Sequence, residues 1–225
     1  MTDNELTMRT RVKICGITRV EDGMAAARAG ADAIGLVFWS GTPRAVSFGN
    51  ARAIAAALPP FVSVVGLFVD PVPADVRATL AAVPLDLLQF HGHEAAEFCR
   101  AFGRPYIKAL PVASGVEEAG LLESAARYND AAGLLFDAPP AAGLPGGTGR
   151  TFDWSTLPKG LDRPIVLSGG LSAANVADAV RRVRPWAVDV SSGVEAVDAA
   201  GMPMKGIKDP VRISAFIEEV RNADG

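Results

Sequence analysis

The chain alternates short runs of apolar, often β-branched residues with longer amphipathic stretches that are rich in alanine. Eight apolar runs occur, and their starts are spaced roughly 20 to 30 residues apart, as a repeated strand–helix unit requires. The runs are Val12 to Cys15, Ala33 to Phe38, Val62 to Val69, Leu85 to His91, Tyr106 to Val112, Gly133 to Asp137, Ile165 to Ser168 and Ala187 to Val190. This alternation predicts parallel strands that are joined by helical crossovers.

The number of apolar runs decides between two architectures. Eight parallel strands are the number that closes a barrel, so we predict an α/β fold, a single (β/α)8 TIM barrel with a parallel eight-stranded core. An open, doubly wound sheet is the alternative, but it usually carries its glycine fingerprint in the first strand–helix turn, whereas here the glycines crowd the later turns. The barrel is expected to span residues 12–225, with residues 1–11 as a loosely ordered N-terminal extension.

Helix-boundary signals agree with this alternation. Thr18 to Glu21 has the pattern of a capping box, and Ser172 is placed to cap the helix that runs through Arg182. Asp209 with Pro210 is typical of the start of the last helix. The segment between the sixth and seventh strands is different, because its prolines and glycines cannot sustain a regular helix. It is predicted to form a long functional loop.

Composition and charge narrow the class of protein. The 225 residues are 49% hydrophobic and 21% charged, with a net charge of −3, which is ordinary for one globular domain. Basic residues are scattered among acidic ones, which disfavours nucleic acid as a partner. No apolar run approaches the roughly 20 residues that span a bilayer, and Met1 to Arg11 lacks the apolar core of a signal peptide. We expect a cytoplasmic protein without membrane contact, either a monomer or a homodimer.

The two cysteines, Cys15 and Cys99, are too few for a disulfide framework. Neither has a metal-ligand spacing with His91 or His93, so no metal centre is expected. Cys99 lies in the predicted fourth helix and is expected to pack in the core. Cys15, which closes the first strand, needs a separate explanation.

Two glycine-containing turns follow neighbouring strands at the end of the barrel where active sites form. Gly169 and Gly170 come after the seventh strand, and Ser192 and Gly193 come after the eighth. Such turns let backbone N–H groups approach an oxyanion, and a short helix starting near Val194 would add its positive end. The alternative is that both are only tight turns. Their occurrence on adjacent strands favours a phosphate site, and hence a phosphorylated small molecule as the ligand.

Four other side chains lie where strands end. A carboxylate at Asp137, directly after an apolar run, would be costly to bury without a purpose, although a loop cap is the alternative. Cys15 is, as a lone cysteine, more often inert than catalytic. Arg44 suits a carboxylate or a phosphate, or is simply a solvated loop residue. His91 ends the fourth strand and is placed to touch a substrate.

Two lysines lie inside predicted strands, Lys13 in the first and Lys108 in the fifth. Either could be a member of a structural ion pair within the barrel. The alternative is a Schiff-base amine, which would form a covalent adduct with a carbonyl substrate.

Several of these residues belong to an ordered set of motifs along the chain. The motifs are Lys13-Ile14-Cys15-Gly16-Ile17-Thr18, Pro43-Arg44, Gln89-Phe90-His91-Gly92, Gly146-Gly147-Thr148-Gly149 followed by Phe152-Asp153-Trp154, and Asp189 to Glu195 with Lys208-Asp209. On these motifs the chain resembles the phosphoribosylanthranilate isomerase family of tryptophan biosynthesis over nearly its whole length. Phe90 and Phe136 depart from the aliphatic residues usual in that family, but neither change removes a reactive group.

The resemblance implies an enzyme that uses no metal and no organic cofactor. It implies an Amadori rearrangement, an intramolecular aldose–ketose isomerisation of N-(5-phosphoribosyl)anthranilate to 1-(2-carboxyphenylamino)-1-deoxyribulose 5-phosphate. Asp137 would be the general acid that protonates the furanose ring oxygen, and Cys15 the general base that removes the C2′ proton. Asp137 would then have to keep its proton, and Cys15 would have to be available as the thiolate.

The resemblance also implies a set of substrate-binding residues. Arg44 would bind the anthranilate carboxylate, and His91 and Asp189 would line the site. The glycine turns after the seventh and eighth strands would hold the ribose phosphate. The loop that contains Gly147 would shape or cover the reacting end.

Three other functions remain possible at this point. The related histidine-pathway aminoaldose isomerase runs the same rearrangement, but it resembles a chain with an aspartate at the end of the first strand, where this chain has Cys15. A Schiff-base aldolase would use Lys108 as its amine. A non-catalytic phosphate-binding module would bind a product analogue without turnover.

Overall fold

A computed structural model describes residues 9–113, 115, 118–139 and 151–224. Eight parallel strands pair in chain order, and β1 pairs with both β2 and β8, so the sheet is closed. The strands are β1 (Arg11–Cys15), β2 (Ala33–Val37), β3 (Ser63–Phe68), β4 (Leu87–Phe90), β5 (Tyr106–Pro111), β6 (Gly133–Asp137), β7 (Ile165–Leu167) and β8 (Ala187–Val190). The predicted eight-stranded barrel is confirmed, and the open sheet is wrong.

Helices connect the strands on the outside of the barrel. They are α1 (Val20–Ala29), α2 (Phe48–Ala57), α3 (Pro73–Ala82), α4 (Ala96–Arg100), α5 (Glu118–Ala126), α6 (Val176–Val183) and α7 (Pro210–Asp224). Short 3-10 helices form at Trp154–Thr156 and Ser192–Val194, and an antiparallel hairpin of β9 (Glu195–Val197) and β10 (Pro203–Lys208) follows β8. Within the described ranges, no helix combines the length and apolar character that a membrane crossing requires.

The core has two parts because side chains alternate across each strand. On β1, Val12 and Ile14 point outward and join the large cluster that packs against the helices. Lys13 and Cys15 alternate with them and face the interior of the barrel, where a smaller apolar cluster around Leu135 and Val166 fills the middle. The inward positions nearest the C-terminal ends are therefore available for chemistry.

Two of the predicted helix starts are wrong. The Thr18 hydroxyl donates to the carbonyl of Gly206 and does not cap α1, which begins at Val20. Ser172 does not cap α6, because its N–H donates to Oδ1 of Asn175 and the helix begins only after that residue. At Thr18 a tertiary contact takes the hydroxyl that the capping pattern would have used, and at Ser172 a local turn separates the residue from the start of the helix.

The start of the last helix is confirmed. Asp209 precedes α7, and its Oδ1 accepts the backbone N–H of Val211 at 2.8 Å. Cys99 is confirmed as a core residue, since it is fully buried on α4.

Hydrogen bonds and an ion pair connect the start of the barrel to the end of α7 and to the residue just before β2. Thr10 donates its N–H and its hydroxyl to the carboxylate of Asp224, at 2.8 and 2.7 Å. Arg9 forms an ion pair with Asp32, which also accepts the N–H of Val12. The division into an extension of residues 1–11 and a barrel of residues 12–225 stays a prediction, since residues 1–8 lie outside the described ranges.

Candidate active site

A pocket opens at the C-terminal end of the barrel, with about 730 Å³ of empty space including its open mouth. It lies where the fold places active sites, above the carboxyl ends of parallel strands. Five of the residues singled out in the sequence line it together: Cys15, Arg44, His91, Asp137 and Asp189. Cys15 ends β1 and Asp137 ends β6, three strands away around the barrel. Two groups able to exchange protons therefore face one cavity from different sides.

Cys15 lies above a buried ion pair. Lys13 and Asp189 are register partners on β1 and β8, and Nζ of Lys13 donates to Oδ1 of Asp189 at 2.8 Å. Both side chains are about 6% exposed. Burial opposes the charge on Lys13 and is the largest single influence, but Asp189 and Cys15 together outweigh it, so the pKa of Lys13 is raised. Lys13 is therefore a cation directly beneath the thiol, and its predicted role as a structural ion-pair member agrees with this contact.

The thiol of Cys15 is subject to opposing influences. Burial raises the pKa of Cys15 above its ordinary value, while the charge of Lys13 lowers it and the charge of Asp189 raises it again. The net direction is upward, so the cation at Lys13 only partly compensates for burial. The thiol form consequently predominates near neutral pH, and a further positive charge in the pocket would favour the thiolate.

Asp137 belongs to a hydrogen-bonded chain of three side chains. Its Oδ1 accepts the N–H of Ala138 at 2.9 Å, and its Oδ2 lies 3.1 Å from Nε2 of His91. On the other side of the imidazole, Nδ1 lies 2.9 Å from Nε2 of Gln89. Gln89 is fully buried on β4. The sequence singled out His91 as a pocket residue, but its contact with Asp137 appears only in the folded barrel.

Arg44 is held by a buried carboxylate. Its Nε and Nη2 donate to the two oxygens of Glu195, at 2.7 and 2.9 Å, in a bidentate pair. Glu195 also accepts the N–H of Gly206 at 2.8 Å and lies 3.4 Å from Nζ of Lys208. The guanidinium is thereby fixed in orientation at the pocket, with Nη1 turned to neither oxygen of Glu195.

The pKa values of the two ionisable groups beside Arg44, Glu195 and Lys208, are shifted from their ordinary values. Burial alone would raise the pKa of Glu195, but Arg44, Lys208 and the Gly206 N–H together lower it, so it is a carboxylate. Burial lowers the pKa of Lys208 to about 8, with Arg44 acting in the same direction against Glu195. One carboxylate thus faces two basic side chains, which leaves this side of the pocket attractive to anions.

An apolar wall lies beside Cys15 in this pocket. It is formed by Val37, Trp39, Leu67 and Val69, which pack with Cys15 in a cluster separate from the main core. The sequence did not single out the aliphatic members of this wall, Val37, Leu67 and Val69, as pocket residues. The signal was present, because each occupies an inward position near the end of β2 or β3.

The two glycine turns after β7 and β8 meet at the same end of the barrel. A Cβ at Gly193 would lie 2.0 Å from the carbonyl oxygen of Leu171, so only glycine lets the turns pack together. Gly169 and Gly170 have φ of 89° and 61°, a conformation that favours glycine, and neither donates its N–H to another described residue. Ser192 begins the turn after β8.

The prediction of a short helix that starts near Val194 is wrong. A 3-10 helix of three residues, Ser192–Val194, ends there instead. It is too short to carry a helix dipole, so any anion at these turns would depend on individual N–H groups. Gly147 and its loop lie outside the described residues.

Lys108 has a structural environment. Its Nζ donates to the carbonyl of Gly92 at 2.6 Å and lies 3.1 Å from Glu94, and the carbonyls of Phe90 and Ala109 complete its surroundings. It is 2% exposed and does not line the pocket. These contacts fit the ion-pair alternative and argue against a Schiff-base amine. No cluster of three or more His, Cys, Asp or Glu side chains in the described part of the chain is placed to hold a metal ion.

Comparison with known proteins agrees with this geometry. The family model described as N-(5'phosphoribosyl)anthranilate (PRA) isomerase matches residues 12–219. A relative from Pseudomonas paraeruginosa, named N-(5'-phosphoribosyl)anthranilate isomerase, is 57% identical over 212 residues, which cover 94% of this chain and 95% of the relative.

Solved structures show the same similarity. Phosphoribosyl anthranilate isomerase from Thermotoga maritima superposes with a TM-score of 0.83 at 40% identity, covering 95% of this chain and 99% of that one. A structure of phosphoribosyl anthranilate isomerase in complex with reduced 1-(o-carboxyphenylamino)-1-deoxyribulose 5-phosphate has a TM-score of 0.77 at 37% identity, with 95% and 99% covered. From the family match, the identity and the shared barrel, this chain belongs to the N-(5'-phosphoribosyl)anthranilate isomerase family.

Proposed function

We propose that this chain catalyses the Amadori rearrangement of N-(5'-phosphoribosyl)anthranilate in tryptophan biosynthesis, with Asp137 as general acid and Cys15 as general base. The observation that carries the assignment is that the two side chains line one pocket from different sides, each with its own supporting group. Asp137 contacts His91, and Cys15 lies above the cation of Lys13.

Ring opening is the first step. Asp137 gives its proton to the furanose ring oxygen as the bond between that oxygen and C1′ breaks. The lone pair of the anthranilate nitrogen forms the C1′=N bond, which gives a protonated Schiff base. Asp137 is left as a carboxylate, which the N–H of Ala138 and His91 can stabilise.

Proton removal from C2′ follows. The thiolate of Cys15 takes the proton, and the electron pair forms the C1′=C2′ bond while the C1′=N pair returns to nitrogen. Two cations favour the thiolate at this stage, because the Schiff base formed in the first step adds its positive charge to that of Lys13. The raised pKa of Cys15 is thus offset when the substrate is ready to lose its proton.

The resulting enolamine becomes the ketone when the C2′ hydroxyl loses a proton and C1′ gains one. The substrate is isomerised without net change in its atoms. Cys15 rests as the thiol and must first release its proton to solvent to become the base. Counted from the reactive form, in which Cys15 is the thiolate and Asp137 is protonated, Cys15 ends with one proton more and Asp137 with one proton fewer. The enzyme returns to the reactive form when Cys15 releases this proton to solvent and Asp137 takes one up.

The remaining pocket residues fit the two ends of this substrate. The fixed guanidinium of Arg44 would pair with the anthranilate carboxylate through Nη1, and the apolar wall of the same pocket would accept the aromatic ring. Gly169 and Gly170 with Ser192 and Gly193 would hold the phosphate. Asp189 would orient Lys13, and the loop of Gly147 would cover the reacting end. A cytoplasmic location and a monomeric or homodimeric state stay predictions.

A fluorescence assay for loss of phosphoribosyl anthranilate tests the proposal. Cys15→Ser and Asp137→Asn are each expected to lower kcat by at least about 10²-fold, the lower end of a general acid or base contribution, while affinity for the product is largely kept. Near-normal kcat in either variant would remove that residue from the mechanism. Product binding without turnover by the unmodified chain would instead indicate a phosphate-binding module.

The chain offers a matched control for each variant. Cys99→Ala changes the other buried cysteine, which packs on α4 away from the pocket. Asp86→Asn changes a carboxylate that accepts the Val64 N–H at the opposite end of the barrel. Both controls are expected to affect stability more than kcat. Equal losses of kcat in the controls would show that the assay reports folding and not chemistry.

A further inference from the structure

The amide of Gln89 is bound on one side only. Its Nε2 lies 2.9 Å from Nδ1 of His91, whereas its Oε1 is buried and has no hydrogen-bond partner among the described residues. Gln89 is 0% exposed on β4. A buried amide that is hydrogen-bonded to an imidazole can determine which ring nitrogen carries the proton. It can do so because its nitrogen is a donor and its oxygen is an acceptor.

We propose that Gln89 is a positioning residue whose amide selects the tautomer of His91 and thereby whether Asp137 holds the proton that it delivers to the substrate. The proposal rests on the proposed role of Asp137 as the general acid. It adds a proton-loading step at the same site, in which two hydrogen bonds in series, at 2.9 and 3.1 Å, change direction together.

The first of the two states is the one in the structure. Gln89 donates Nε2–H to Nδ1 of His91, which therefore has no proton on that nitrogen. The proton of the neutral imidazole is on Nε2 and is donated to Oδ2 of Asp137. A carboxylate that accepts from Nε2–H and from the N–H of Ala138 is the form left after Asp137 has protonated the ring oxygen.

The second state is reached by adding one proton and turning the amide. Oε1 of Gln89 then accepts a hydrogen bond from Nδ1–H, and Nε2 of His91 becomes an acceptor. Asp137 can now keep the added proton on Oδ2 and form a hydrogen bond with it to Nε2, which is the state of a general acid that is ready to react. His91 is neutral in both states, and only the position of its proton differs.

The charged groups near the Gln89–His91–Asp137 hydrogen bonds have contacts of their own. Lys108 from β5 reaches the carbonyls on either side of His91, but it forms an ion pair with Glu94 at 3.1 Å. Asp70, which follows β3, contacts His93 and not His91. The turn after β7 presents Gly169 to Asp137, with no charge. Within the described residues, Gln89 is thus the group that decides the direction of the hydrogen bonds at His91.

Nitrogen-15 NMR of the imidazoles tests the proposal directly. The chain has two histidines, and His93→Gln leaves His91 as the one that is observed. The pyrrole-like and pyridine-like signals of Nδ1 and Nε2 are expected to exchange places over the pH range in which the enzyme passes between the two states and kcat falls. If His91 keeps its proton on Nε2 throughout that range, or takes up a second proton, the proposal is overturned.

Two variants separate selection of the tautomer from mere packing. Gln89→Met keeps the bulk but has no amide, so the exchange of signals should be lost and kcat should fall by about 10-fold, with the pH profile altered. Gln89→Glu offers only an acceptor once its carboxyl is ionised, so Nδ1 of His91 should stay protonated throughout that range. An unprotonated Nδ1 beside the ionised carboxylate would overturn the proposal even if Gln89→Met failed to fold.

Ile107→Met is the matched control, because Ile107 is the register partner of Gln89 on β5 and is buried inside the barrel away from the pocket. It should keep the exchange of signals at the pH of the unmodified chain. Failure of the proposed role of Gln89 is distinguishable from failure of the proposed function. Full activity in Asp137→Asn would remove the general acid itself, whereas a fixed tautomer in an enzyme that still depends on Asp137 would overturn only the role of Gln89.

Discussion

Gly35 makes room for the thiol of Cys15. The two residues are register partners on β2 and β1, and a Cβ at position 35 would lie 2.7 Å from Sγ. Real side chains do not approach so closely, so the absence of a side chain on β2 lets the proposed base face the pocket. This relationship makes Gly35 part of the site although it carries no reactive group.

Gly35→Ala is expected to lower kcat by about 10-fold or more, because displacement of a catalytic group by even 1 Å can have effects of that size. Steady-state kinetics with the fluorescent substrate measures the effect. Gly66→Ala is the control, since a Cβ on that β3 glycine would contact Leu85 at 2.5 Å, away from Cys15. It should lower the melting temperature without a comparable fall in kcat. Equal kcat losses in the two variants would argue against a specific role for Gly35.

Lys13→Met should make Cys15 a weaker acid. The pKa of Cys15 is already raised by burial, and Lys13 is the main group that lowers it, so its loss raises the pKa further. The rate of alkylation by iodoacetamide near neutral pH should fall by about 10-fold, and its rise with pH should move to higher pH. Alkylation is measured in a Cys99→Ala background, so that Cys15 is the only thiol. The signal from Cys99 should be small in any case, because burial raises its pKa to about 12.

The double variant Lys13→Met/Asp189→Asn provides the internal check. Asp189 raises the pKa of Cys15, so neutralising it together with Lys13 should return part of the lost reactivity. It also avoids leaving one buried charge without its partner, which is strongly destabilising. Slower alkylation in the double than in the single variant would contradict control of the Cys15 pKa by the charges of this ion pair.

Glu195→Gln should loosen Arg44. The guanidinium would lose its bidentate carboxylate, and Arg44 and Lys208 would be left close together without a shared counter-charge. KM and the Kd for the product are expected to rise by about 10-fold or more, with a smaller change in kcat, because charged hydrogen bonds contribute about 1.5–3 kcal/mol. Calorimetric binding of the product measures the effect. A fall in kcat alone would contradict the assignment of Arg44 to binding.

Gly193→Ala should weaken phosphate binding through packing. A Cβ there would lie 2.0 Å from the Leu171 carbonyl and would force the turns after β7 and β8 apart. We expect the Kd for the phosphorylated product to rise by about 10-fold or more, measured by titration calorimetry. Gly49→Ala on α2 is the control, since its Cβ would meet only Ser47 at 3.9 Å and should leave the Kd unchanged. An unchanged Kd in Gly193→Ala would place the phosphate elsewhere.

The sequence predicted what depends on local pattern. All eight strands were found because buried parallel strands read as continuous apolar runs, and residues at their C-terminal ends had to meet in a closed barrel. Cys15 and Asp137 share a pocket for that reason. The predicted strand ends are less accurate: the fourth apolar run includes Leu85 and Asp86, but β4 begins at Leu87, and Asp86 instead accepts the Val64 N–H.

The sequence could not predict partners that are distant along the chain. Glu195 lies 151 residues from Arg44, and only the closure of β8 against β1 and the fold of the hairpin bring them together. The capping pattern at Thr18 failed for the same reason, since its hydroxyl is used by Gly206, far along the chain. Such contacts are determined by tertiary structure, and no local motif encodes them.

The carboxylate of Glu195 accepts from Arg44, Gly206 and Lys208, and so joins the loop after β2 to both strands of the hairpin that follows β8. Groups that share one acceptor do not contribute independently, and the effects of substituting them should not add. Evolution of a new substrate at the Arg44 side of this pocket would therefore have to change these positions in concert, because any one replacement alone leaves the others without their common partner.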